Sequence, residues 1–127
     1  MENPIRKFPS ILAVRVHKQS GYKKLMNIIF EKCKKILQDY YGSQFQGLFL
    51  YGSVARNQIT PMSDIDMLVL LRGHFDYFKE LQRITGLLYP IQLESEQLIS
   101  VKPAPEDEFE IGSIQLYRNA KREGVAF

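Results

Sequence analysis

Residues 48–71 read LFLYGSVARNQITPMSDIDMLVLL, and no other stretch constrains the chain as much. One apolar run ends in Gly52-Ser53. A second starts at Ile65, with Asp64 just before it and Asp66 just inside it. Side chains alternate along a strand, so Asp64 and Asp66 fall on the same side of it. Two carboxylates held together repel unless a cation lies between them. A hard cation such as Mg²⁺ suits oxygen donors, commonly one or two carboxylates plus phosphates. A glycine turn that opens a helix presents backbone N–H groups and, here, a serine hydroxyl to an anion. A carboxylate pair with a phosphate turn is what a chain needs to handle nucleotides.

The flanking sequence reads as alternating helices and strands. From Tyr22 to Tyr41, Leu25, Ile29, Cys33, Ile36 and Tyr40 recur at helical spacing, with lysines opposite. Gly42 suits a left-handed helix cap. Phe45–Tyr51 reads as a buried strand and Ser53–Asn57 as a short helix that Ser53 can cap. Ile65–Leu71 is apolar on both faces past Asp66, which predicts a central strand covered on both sides. Phe75–Leu88 is expected to be helical, with Phe75, Phe78, Leu81, Ile84 and Leu88 on one stripe. After Pro90, Ile91–Glu94 is either a last kinked turn or an extended start. A third strand over Leu98–Val101 is expected to stop at Pro103 and Pro105. Glu106–Glu110 is an acidic loop or a helical turn, and Ile114–Arg122 a final helix stopped by Gly124. This order predicts an α/β fold with a small mixed central sheet packed with helices.

Length and composition narrow the rest. The chain of 127 residues is 45% hydrophobic and 24% charged, which fits one globular domain. A net charge of +3 is compatible with phosphate-bearing partners and requires no nucleic acid. A single cysteine, Cys33, excludes an internal disulfide and fits a reducing, cytoplasmic setting. No apolar stretch approaches a membrane span. His17 and His74 stand alone, without zinc-ligand spacing. The lysines at 23, 24, 32, 34 and 35 read as a solvated helix face.

The motif itself resembles a known family. An apolar residue and Gly52-Ser53, a short helix, then Ser63-Asp64-Ile65-Asp66 and an apolar strand are similar to the nucleotidyltransferase superfamily related to DNA polymerase β. Ala55-Arg56 and Thr60-Pro61 extend the match. Asn119-Ala120-Lys121-Arg122-Glu123-Gly124 resembles the N-x-x-R-E-G ending of one branch. In so short a chain the likeness is to the minimal nucleotidyltransferases, whose partners are often HEPN-domain proteins.

That resemblance implies a minimal nucleotidyltransferase domain over residues 23–127, with residues 1–22 as an N-terminal arm or edge element. It implies that Asp64 and Asp66 are catalytic and hold Mg²⁺, and that Gly52 and Ser53 hold phosphates of a nucleoside triphosphate, ATP for preference. Arg56 either contacts phosphate or braces the loop. The implied acceptor is a hydroxyl on a HEPN-type helical toxin, with this chain as its antitoxin; a homo-oligomer is left open. Catalytically complete relatives carry a further carboxylate on the next strand. Ser100 stands where it is expected, the only polar residue of Leu98-Ile99-Ser100-Val101. Glu94 or Glu96 would serve only if that strand began earlier. The alternative is therefore a catalytically incomplete fold that acts by binding a partner. A small-molecule transferase is a third reading, but 127 residues leave no room for the helical domain such enzymes add unless a partner chain provides it.

Overall fold

The computed structural model describes residues 20–52 and 64–126, with side chains from Asn27 onward. Among them, helix α1 spans Ser20–Tyr41. Strand β1 covers Phe45–Tyr51 and β2 covers Ile65–Leu71. Helix α2 runs Tyr77–Glu94 and strand β3 runs Ile99–Pro105. Helices α3, Glu106–Ile111, and α4, Gln115–Glu123, precede a two-residue strand β4, Val125–Ala126. The strands form one four-stranded sheet in the order β3-β2-β1-β4. β1 is antiparallel to β2 and β4, while β3 is parallel to β2 across the α2 crossover. This is the expected mixed central sheet.

Each face of the sheet carries its own core. On one face Leu48, Leu50, Ile65, Met67, Val69 and Val101 meet Ile29, Phe30, Cys33 and Leu37 of α1 and Ile84, Leu88 and Ile91 of α2. On the other, Phe49, Leu68, Leu70 and Ala104 meet Phe109 of α3 and Tyr117 and Ala120 of α4. β2, between the two layers, is buried from Met67 to Leu71. Its uninterrupted apolar run is thus the signature of a strand covered twice. In β1 a bulge between Phe45 and Gly47 switches the alternation. Phe45 can therefore share a core with Leu48 and Leu50 although its sequence parity differs.

Both strand expectations around the motif hold over the same residues, and α1 ends at Gly42, whose φ of 57° is left-handed. Cys33 is fully buried, and burial pushes its thiol up to about 12. Lys32 and Lys35 are exposed and pair with Glu94 and Asp39. The α1–α2 contact is tightened by the Tyr41 hydroxyl, which donates to Glu80 at 2.9 Å, and by Arg83, which donates to the Tyr40 hydroxyl.

Two open alternatives are decided and two expectations need correction. Of the two alternatives after Pro90, the helical one holds: α2 continues past Leu88 and through Pro90 to Glu94. The N–H that proline lacks would have bonded the carbonyl of Gly86, and both residues lie on the exposed side, where water serves that carbonyl. Phe78 is not on the buried stripe but 76% exposed. Strand β3 does not end before its prolines. Leu98 accepts from the N–H of Ile65, so residues of its parity turn their amides toward β2. Pro103 and Pro105 have the opposite parity on an edge strand, and their missing N–H groups cost no ladder bond. The acidic segment takes its helical alternative, as helix α3, its first turn holding Glu106, Asp107 and Glu108 against the positive end of the helix dipole. β4 was not anticipated at all. Of the expected arm over residues 1–22, residues 20–22 are the first turn of α1, and residues 1–19 lie outside the described residues, as does the helix over Ser53–Asn57. Among those described, no helix is long and apolar enough to cross a membrane.

Candidate active site

The end of β1 and the start of β2 meet because the strands are antiparallel, with Tyr51 opposite Asp66. β3 joins from the other side in parallel register, which sets Ser100 opposite Asp66. Tyr51, Asp66 and Ser100 therefore form one row across the sheet, on the face that farther along is covered by α3 and α4. Asp64 is exposed just ahead of β2, and Asp66 is half-buried at its start.

Gly52 closes this corner. Its φ is 79°, a left-handed conformation that L side chains rarely adopt. A Cβ built on it would stand 2.5 Å from Oδ2 of Asp66. The turn backbone and the carboxylate are packed directly together, and only glycine permits both the turn and the approach. Tyr51 stands beside Asp66 across the β1–β2 pair. Its hydroxyl is buried with no hydrogen-bond partner. Burial, then the negative charge of Asp66, then Tyr77, push its phenol up to about 12. Tyr51 is thus held neutral.

The sequence-predicted site residues divide into three groups. Gly52, Asp64 and Asp66 are brought to one corner of the sheet. Ser53 and Arg56 lie outside the described residues. Glu94 and Glu96 stay away: Glu94, on the last turn of α2, is ion-paired to Lys32 at 2.8 Å and 57% exposed, and Glu96 is exposed in the following bend. An exposed pair of this kind contributes little to stability. Ser100 is the residue that faces Asp66, as its place in the strand predicted. Among the described residues no three His, Cys, Asp or Glu side chains converge.

Donor chemistry sets what this corner can hold. Asp64, Asp66 and the Ser100 hydroxyl are hard oxygen donors, which fits Mg²⁺ and not a soft metal. A residue that the sequence reading passed over is Lys102. It stands on the same face as Ser100, one row along, opposite Leu68. The expected strand end at Val101 hid it. Its visible signal was alternation, a lysine between Val101 and Pro103 at the parity of Ser100.

A mixed sheet that carries a glycine turn against an Asp-x-Asp strand start defines a nucleotide-handling α/β domain. Comparison with family models matches residues 30–118 to the nucleotidyltransferase domain, and the chain belongs to that family. Among solved structures, it is similar to a Sulfolobus solfataricus protein assigned to the nucleotidyltransferases, with 20% identity and a TM-score of 0.48 over 82% of this chain and 77% of that one. The search of curated proteins found no match.

Proposed function

We propose that this protein binds a nucleoside triphosphate, ATP for preference, with Mg²⁺ and transfers its nucleoside monophosphate to a hydroxyl of a protein acceptor. The acceptor we infer is a HEPN-type helical toxin, neutralised by the modification. Family membership supports nucleotidyl transfer in general. The observation that carries the site assignment is the contact between the Gly52 turn and the Asp66 carboxylate, since it holds an anion-binding backbone next to a metal-binding oxygen. In this reading Asp64 and Asp66 hold Mg²⁺, which when bound would neutralise phosphate charge. Gly52 and Ser53 cradle phosphate oxygens, Arg56 contacts phosphate or braces that loop, and Tyr51 keeps water from the sheet side of Asp66.

One observation favours a second reading. Ser100 stands opposite Asp66 and brings no carboxylate, and no acidic trio forms among the described residues. The fold would then bind nucleotide and partner without turnover. Incubation with α-labelled ATP, Mg²⁺ and the co-purified helical partner separates the two. Label on the partner, lost in Asp64→Asn/Asp66→Asn, supports transfer. Neutralisation without label supports the binding module, and label that appears only in Ser100→Asp would identify the serine as the missing function.

A further inference from the structure

Among the described residues, the Asp66 end of the sheet carries one positive charge that nothing yet accounts for. Lys102 lies two residues from Ser100 on β3, so their Cα atoms are about 6.6 Å apart and their side chains leave the same face. The neighbouring row beyond it, Leu70 and Ala104, is sealed by Phe109 of α3 and by Tyr117 and Ala120 of α4. The adjacent Leu68 is fully buried, and Lys102 itself is half-buried. A lysine in this position lays its stem on apolar surface and carries its ammonium to the nearest open side. Among the described residues, the sides not sealed by α3 and α4 are the half-buried Ser100–Asp66 row and the outer edge of the sheet. Lys32, Lys35 and Lys121 each have a carboxylate partner. Among the described residues, Lys102 has no ion-pair or hydrogen-bond partner.

We propose that Lys102 contacts a phosphate of the nucleotide held at Asp64 and Asp66, where its ammonium balances phosphate charge in place of a second divalent cation. Two carboxylates suffice for one such ion. A second needs further anionic donors, and the residue facing Asp66 is a neutral serine. A triphosphate brings more negative charge than one Mg²⁺ cancels, and a compact ammonium is a good point-charge partner for the remainder. The inference rests on the nucleotide-binding part of the proposed function and is independent of turnover.

Calorimetric titration of the full chain with ATP at fixed Mg²⁺, repeated with AMP, tests it. Lys102→Met is expected to weaken ATP binding roughly tenfold or more, the size of a lost charged hydrogen bond, and to leave AMP binding within about twofold. Lys102→Arg is expected to stay within about threefold of the parent. With the lysine in place, ATP binding should rise with Mg²⁺ as a single-ion process; Lys102→Met should need more Mg²⁺ for the same saturation. Melting without nucleotide checks the fold, and Lys102→Gln replaces the methionine variant if that one melts early. If Lys102→Met binds ATP like the parent while Asp64→Asn/Asp66→Asn does not, Lys102 is only an edge-strand lysine that discourages sheet pairing. The inference then fails and the site stands. If the double asparagine variant binds ATP like the parent, or the parent does not bind, the nucleotide site itself is wrong, and the inference falls with it.

Discussion

Replacing Gly52 by alanine should cost both stability and nucleotide binding, and the two costs can be separated. A φ of 79° penalises an L residue by about 1–2 kcal/mol. The new methyl would also stand 2.5 Å from Oδ2 of Asp66, well inside van der Waals contact. The carboxylate can swing away, at about 0.5–1.5 kcal/mol for an off-rotamer side chain. Lower entropy of the unfolded chain returns about 0.4–1 kcal/mol. The net loss should be about 0.5–3 kcal/mol. Gly73 provides the control, because its φ of 86° is equally left-handed but nothing lies within 4 Å of its built Cβ. Urea unfolding should therefore show Gly52→Ala less stable than Gly73→Ala by about 0.5–1.5 kcal/mol. That excess should vanish when both substitutions are made in an Asp66→Ala background, a double-mutant cycle that isolates the contact. Mg-ATP affinity should drop in Gly52→Ala and be unchanged in Gly73→Ala. Equal destabilisation by the two alanines in both backgrounds would falsify the packed turn–carboxylate contact.

Three further outcomes are expected. Mg-ATP at about a hundred times its Kd should raise the unfolding free energy by roughly 2.7 kcal/mol; an equal shift in Asp64→Asn/Asp66→Asn would remove the carboxylates from the site. Gly124→Ala should destabilise by about 3 kcal/mol or more, because its Cβ would enter Phe49 and the carbonyls of Ala120 and Leu50; a loss under about 1 kcal/mol in urea unfolding would contradict that packing. Cys33 and Tyr51 lose their protons near 12 in the folded chain against ordinary values of 9.0 and 10.0. Above pH 9 the unfolded chain thus binds fewer protons than the folded one, so stability present below pH 9 should fall as pH rises toward 12. A flat urea midpoint between pH 8 and pH 11 would oppose this.

Local signals sufficed for what surrounds the motif. β1 and β2 were legible because uninterrupted apolar runs bounded by Gly52 and Gly73 mean strands covered on both faces. Helix α1 was legible from its period and its glycine cap. Asp64, Asp66 and Gly52 were legible as a group because they lie at the two facing ends of those strands. Ser100 was legible as the sole polar residue of its strand core, and the parallel register then set it against Asp66.

The remainder depended on neighbours distant in sequence. A proline stops a strand only if its missing N–H faces a partner. Pro103 and Pro105 face outward, a fact set by which strand β3 joins and in what register. Pro90 is tolerated because Gly86 and the proline share the solvent side of α2. β4 is two residues long and has no pattern of its own; it exists because Gly124 lets the chain lie against β1. Lys102 became a site candidate only when β3 ran past Val101 and placed it one row from Asp66. The sequence by itself determined the apolar periods, the turn and the acidic pair, since these act over a few neighbouring residues. Only the tertiary structure decided which edge of each strand is paired and which charges share a face, since both depend on backbone partners that no local pattern encodes.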